Sequence, residues 1–192
     1  MNKKMLPIAL SNRHIHLSQE DIETLFGKGH ELTKSKDLSQ PGQYACEEKV
    51  DLVGPKNTIK GVRVLGPARP KTQVEISIAD GFVLGVKPPV RDSGDVAGSP
   101  GVKIVGPNGE VEMQEGVIVA ARHIHMHTSD AEAFGVVDKQ RVNVRTTGER
   151  AVVFENVLVR AHETYALEMH VDVDEGNAAA LKNGEMVELI II

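Results

Sequence analysis

The tetrapeptide Arg-His-Ile-His occurs twice in this chain, within SNRHIHL from Ser11 to Leu17 and within AARHIHM from Ala120 to Met126. In an extended strand successive side chains point to opposite faces. His14 and His16 therefore share one face while Ile15 points into the core, and His123 and His125 do the same about Ile124. Two imidazoles projecting together begin a metal site, because zinc-like cations favour compact sets of nitrogen, sulfur and carboxylate donors. A single His-x-His is more often a polar stripe on a half-buried strand. Two copies, each led by an arginine (Arg13, Arg122) at matched points of one chain, point to metal binding.

The match extends beyond the histidines. Asp21 and Glu23 correspond to Asp130 and Glu132, and VRVLGPARPKTQVEIS (Val62 to Ser77) lies over VLVRAHETYALEMHVD (Val157 to Asp172), with Glu75 falling on His170. Each half thus supplies a histidine pair and, from a later strand, one more ligand-capable side chain: a carboxylate in the first half, an imidazole in the second. Three protein ligands leave an open coordination position, as catalytic zinc requires, whereas a structural site is normally closed by four. The lone cysteine, Cys46, cannot furnish two thiolate cages.

The elements that must carry these groups read mainly as strands. Val/Ile-rich or alternating runs occur at 49–53, 62–65, 74–78, 102–105, 116–120, 141–145, 151–154, 157–160 and 167–173, with turns at Gly54, Gly66, Gly106 and Asn108. Helix signals are brief. Ser18 with Asp21 opens a helix to Phe26, Thr128 or Ser129 opens one to Phe134, a third runs from Glu175 to Lys182, and a helical segment follows Ala79. Many short strands with small helical caps predict β-barrels or a compact sandwich.

Composition narrows the function. A net charge of -5 and 3% aromatic residues without tryptophan speak against nucleic acid, which needs basic patches or stacking platforms. No apolar run is long enough to span a bilayer, and MNKKMLPIAL lacks a signal-peptide core, so the reading is a cytoplasmic protein with no membrane partner. A single cysteine fits that compartment.

SNRHIHL, QPGQYACEEKVDLVGP (Gln40 to Pro55), VRVLGPARPKTQVEIS, RDSGDVAGSPG (Arg91 to Gly101), GVIVAARHIHM and LEMHVDVDEGNAA closely resemble the PduL-type phosphotransacylase family of propanediol utilisation, the phosphate propanoyltransferases. The resemblance runs from about Ile8 to the C-terminal strand. It implies a mainly β fold of two pseudo-symmetric small barrels capped by short helices, with the N-terminal strand contributing to the other barrel. The expected division is a first barrel repeat over 1–79, a Gly/Pro-rich connection over 80–115 and a second repeat over 116–192. The region from Gly85 to Gly109 is the candidate lid or connection. The resemblance further implies a homodimer, two zinc ions per chain, and exchange of an acyl group between coenzyme A and inorganic phosphate to give acyl phosphate.

Carried over by resemblance, one metal is held by Glu75, His123 and His125 and the other by His14, His16 and His170. Arg69 matches a phosphate-contacting arginine, and the loop around Ser93 lies near the site. The chemistry asks for such groups, since phosphate must be positioned, a thioester carbonyl polarised and a departing thiolate accepted. A forked guanidinium suits phosphate oxygens. Direct attack by phosphate is preferred over a covalent acyl-enzyme at Cys46, and acetyl and propanoyl substrates stay equal. No glycine-rich phosphate loop marks a coenzyme A site. Microcompartment members of the family carry an N-terminal targeting extension, and the short segment before the first strand predicts a free enzyme. Two alternatives remain: a dinuclear zinc thioester hydrolase, and a non-catalytic metal-stabilised scaffold.

Overall fold

Short β-branched runs punctuated by glycine and proline leave few stretches long enough for helix, and the chain folds mainly as strands. The computed structural model of the protein describes residues 3–191. Strands β1 (Lys4–Ser11) and β2 (His14–His16) lead into helix α1 (Gln19–Phe26). Strands β3 (Lys34–Asp37), β4 (Tyr44–Val53), β5 (Thr58–Gly66) and β6 (Gln73–Glu75) precede helix α2 (Ile78–Leu84). Next come β7 (Val90–Arg91), β8 (Lys103–Val105), β9 (Glu110–Glu112), β10 (Val117–Ala120), β11 (His123–Met126) and helix α3 (Thr128–Phe134). The chain continues with β12 (Arg141–Arg145), β13 (Val153–Ala161), β14 (Glu168–Asp172), helix α4 (Val173–Ala178) and β15 (Met186–Ile190).

Two compact units result. One comprises Met1–Ser11, Ser39–Pro41 and Ala121–Ile192, the other Asn12–Leu38 and Gly42–Ala120. In the first, six strands close a barrel in the order β1-β14-β11-β13-β12-β15. In the second, a nine-stranded sheet contains the run β10-β6-β2-β5-β4-β8. The two runs repeat one pattern: parallel, antiparallel, parallel, antiparallel, antiparallel. Only the barrel adds the closing ladder between β1 and β15 among the described residues. β1 thus occupies in the barrel the place that β10 holds in the sheet. Each strand lies just before a His-x-His strand in sequence but pairs with strands of the other half, and the chain changes unit at Ser11/Asn12 and at Ala120/Ala121. The expected contribution of the N-terminal strand to the second half is present.

Each unit has its own core. Leu6, Ile8, Ile124, Met126, Val157, Val159, Met169 and Val171 fill the barrel, and Ile15, Leu17, Val62, Val64, Val74, Ile76 and Val117 fill the sheet unit. The equivalence holds residue by residue. Ile15 pairs with Val74 and Val64, and Ile124 pairs with Met169 and Val159. Burial of these side chains, at about 1.5–3 kcal/mol each, fixes the register and so fixes which face the intervening polar residues occupy.

The helices start where carboxylate or hydroxyl caps dictate. Ser18 caps α1, while Ser77 with Asp80 and Asp172 with Glu175 form reciprocal boxes at α2 and α4. α4 therefore spans Val173–Ala178 rather than 175–182, because Asp172 already accepts from the Glu175 amide and Ala180 leaves helical geometry at φ 53°. At α3 the cap is His127, whose Nδ1 accepts from the Ser129 amide at 3.1 Å. A glycine follows the capping carboxylate in both equivalent helices. A Cβ at Gly81 would stand 2.8 Å from Pro88, and one at Gly176 would stand 2.4 Å from Leu10. The stretch from Gly85 to Gly109 holds β7 and β8, which pair with β10 and β4, and belongs to the sheet unit.

Candidate metal centres

Register places the third candidate ligand directly beside each histidine pair. On β6, Glu75 lies opposite His14; on β14, His170 lies opposite His123. Because Ile15, Val74, Ile124 and Met169 all face the cores, the intervening imidazoles and the carboxylate share the opposite face. Among the described residues, two sets of three ligand-capable side chains result, each with its donor atoms within 4.8 Å of one another: His14, His16 and Glu75, and His123, His125 and His170.

These sets differ from the crossed assignment implied by the family resemblance, which put Glu75 with His123 and His125 and His170 with His14 and His16. Glu75 stands with His14 and His16, and His170 stands with His123 and His125. The physical reason is where the strand exchange ends. The chain changes unit before each His-x-His rather than after it, so each pair stays with the third ligand of its own half.

The first cluster is buried throughout, with His14 at 8%, His16 at 3% and Glu75 at 8% exposure, whereas the second is half-buried. His14 Nδ1 lies 2.8 Å from the Asn12 carbonyl, and His123 Nδ1 lies 2.8 Å from the Ala121 carbonyl. A carbonyl only accepts, so Nδ1 carries the proton and the Nε2 lone pair is left for a cation. His14 Nε2 lies 3.4 Å from Glu75 Oε2. Burial first, then the neighbouring His14 and Arg69, pushes His16 down to about 3; burial, His123 and His170 push His125 down to about 2. Both rings are therefore neutral at physiological pH, the form that ligates. Burial alone would raise the Glu75 carboxyl, but His14, His16, the Ser93 hydroxyl and Arg69 outweigh it and hold it at about 2.

The other oxygen of Glu75 is held. Ser93 Oγ donates to Glu75 Oε1 at 2.8 Å and Gln73 Nε2 donates to the same oxygen at 2.6 Å. Arg69 donates from Nη1 to Ser93 Oγ at 3.3 Å, and its backbone amide bonds the Leu17 carbonyl at 2.8 Å. Arg69 and Ser93, both singled out in the sequence, thus sit at the first cluster. Cys46 is fully buried in the core, and burial followed by Glu48 pushes its thiol up to about 11. A thiol in that state is a packing group rather than a nucleophile.

Sequence reasoning left the motif arginines without a role. Arg13 forms a forked ion pair with the capping carboxylate of α2, Nη2 to Asp80 Oδ1 at 2.8 Å and Nε to Oδ2 at 2.9 Å. Arg122 pairs with the equivalent carboxylate of α4, Nη1 to Glu175 Oε1 at 2.6 Å. Each arginine ties the start of a histidine strand to the helix that follows the third-ligand strand. Capping boxes at both helices, visible as Ser77-x-x-Asp80 and Asp172-x-x-Glu175, were the available signal.

Fold and clusters together define a double-unit β protein with two pseudo-symmetric sets of histidine-based donors suited to divalent cations. The family description of phosphate propanoyltransferases matches residues 7–182. Over 184 residues the chain is 58% identical to a phosphate propanoyltransferase of Thermotoga maritima, covering 95% of this chain and 88% of that one. It is 53% identical over 182 residues to one of Rhodopseudomonas palustris, with 95% and 80% coverage. To one of Clostridioides difficile it is 49% identical over 185 residues, with 96% and 88% coverage. The chain belongs to the phosphate propanoyltransferase family and is an acyltransferase. No helix among the described residues is long and apolar enough to cross a membrane.

Proposed function

We propose that this enzyme reversibly transfers a short-chain acyl group, propanoyl or acetyl, between coenzyme A and inorganic phosphate, with a divalent cation, zinc by preference, held at each cluster. The observation that carries the metal reading is the pair of clusters at equivalent register, each offering three donors and no thiolate. The donors fit a cation. His16 Nδ1 and His125 Nδ1 are buried polar atoms with no hydrogen-bond partner among the described residues, at equivalent positions of the two halves. Unpartnered buried nitrogens are costly, and a bound cation offsets that cost.

His14, His16 and Glu75 would hold one cation, and His123, His125 and His170 the other. A bound zinc supplies Lewis acidity toward carbonyl and phosphoryl oxygens together with affinity for sulfur. The chain's own groups do the rest. The Arg69 guanidinium, permanently charged and half-buried, is aimed to bind phosphate oxygens and orient the nucleophile. Ser93 and Gln73 fix the Glu75 carboxylate so that only Oε2 faces His14. In the reaction a phosphate oxygen forms a bond to the thioester carbonyl carbon, the carbon–sulfur bond breaks, and coenzyme A leaves as the thiolate.

The test is coenzyme A release from propanoyl-CoA and acetyl-CoA with and without phosphate. Release that depends on phosphate and yields acyl phosphate is the expected result. Release without phosphate makes the protein a hydrolase, and absence of release from either thioester removes the transferase reading.

A further inference from the structure

Each cluster is one corner short of a square. On β6 and β14 the residue two positions before the third ligand shares its face, and the register sets Gln73 opposite His16 and Glu168 opposite His125. The first square is therefore His14, His16, Gln73 and Glu75; the second is His123, His125, Glu168 and His170. Each contains one carboxylate, at exchanged corners.

The fourth corner is chemically complementary to the third. Beside the carboxylate of Glu75 stands an amide, Gln73, donating from Nε2 to Oε1 at 2.6 Å. Beside the imidazole of His170 stands a carboxylate, with Glu168 Oε2 3.4 Å from His170 Nε2. That spacing equals the 3.4 Å between Nε2 of His14 and Oε2 of Glu75 in the first cluster. The Glu168 side chain is only 14% exposed, so it is not an ordinary solvated charge.

Glu168 is also anchored. Ser39 Oγ donates to Glu168 Oε2. The next residue, Gln40, is 8% exposed and brackets the backbone two positions before Glu168, donating to the Ala166 carbonyl at 3.0 Å and accepting from the Ala166 amide at 3.2 Å. Ser39–Pro41 belongs to the barrel unit although the residues on either side belong to the other. The excursion has the effect of holding this one carboxylate.

We propose that Glu168 is the carboxylate of the three-histidine cluster, a positioning residue that lies against His170 and supplies the negative charge that imidazole ligands do not bring to a cation. The inference rests on the reading that this cluster holds a divalent cation. Carboxylates adjoining a ligating histidine typically change metal affinity by about 10–100-fold when removed. In the half-buried cluster the charge is incompletely screened, which favours the upper part of that range.

The experiment is zinc titration of the metal-stripped full chain in competition with a chromophoric chelator, in a His14→Ala background that disables the other cluster. Adding Glu168→Gln is expected to weaken the remaining site by about 10–100-fold. Ser39→Ala is expected to weaken it less, and the cobalt-substituted absorption spectrum is expected to change with Glu168→Gln. The metal-free unfolding midpoint stays unchanged. Zinc affinity and cobalt spectrum unaltered by Glu168→Gln overturn the proposal, as does an affinity loss matched by an equal loss of metal-free stability, which marks a merely structural role. If the wild-type chain takes up no zinc, the metal reading itself fails and the proposal falls with it, an outcome visible before any variant is compared.

Discussion

The paired arginines allow a comparison within one molecule. Asp80 is 5% exposed and accepts two charge-assisted bonds from Arg13, whose side chain is 41% exposed; Glu175 and Arg122 are 22% and 31% exposed and share one short bond. Breaking a fully buried ion pair costs about 3–5 kcal/mol, while a surface pair is worth about 0–1 kcal/mol. Arg13 retains partial access to water, so Asp80→Asn should cost about 2–3 kcal/mol. Glu175→Gln, with both partners partly wet, should cost about 1 kcal/mol. The assay is urea denaturation of the metal-stripped protein followed by far-ultraviolet circular dichroism. Asp80→Asn is expected to lower the midpoint more than Glu175→Gln at unchanged slope. Equal losses, or a larger loss for Glu175→Gln, would refute the argument that burial of the carboxylate sets the strength of these ties.

Three further outcomes are expected. Arg69→Ala removes the charged donor proposed to bind the reacting phosphate, a loss of about 2.7–4 kcal/mol in transition-state stabilisation, so steady-state kcat/KM should fall about 100-fold or more; activity within a few-fold of wild type removes Arg69 from the mechanism. Cys46→Ala should keep turnover within a few-fold, since the thiol is buried and raised to about 11, and abolished turnover with an intact fold would revive the covalent route. Acid should destabilise the metal-free protein: an unfolded chain protonates its histidines near 6.5, whereas folded His16 refuses the proton until about 3. Stability is therefore lost as pH falls below about 6.5, by about 2 kcal/mol at about pH 5 from His16, and a His16→Gln variant should lose correspondingly less in the same denaturation series.

Much of this arrangement was legible in the chain. Period-two alternation put His14 with His16 and His123 with His125, and the slid alignment that laid Glu75 on His170 is the observed equivalence, each opposite the first histidine of its pair. The pairing of those residues into sites was not legible. It depends on the changes of unit that immediately precede each His-x-His, at Ser11/Asn12 and at Ala120/Ala121, and no local propensity marks them. Glu168 and Gln73 were within reach, because each stands two positions before a candidate ligand on a strand and so shares its face. His30 pairs with Glu48, 18 residues away, at 2.9 Å and stacks on Phe26, a pairing that no motif in the sequence marks. The length of α4 was misjudged because Asp172, the last residue of β14, is also the cap that starts the helix.

Two three-donor clusters are proposed to hold the cations on which acyl transfer to phosphate depends. The most direct test measures metal content and phosphate-dependent coenzyme A release on the same samples: protein as purified, after chelation and dialysis, and after zinc is restored. The expected result is about one equivalent of cation per cluster, loss of metal and activity together on chelation, and recovery of both with zinc. Full phosphate-dependent turnover in protein stripped of metal would contradict it.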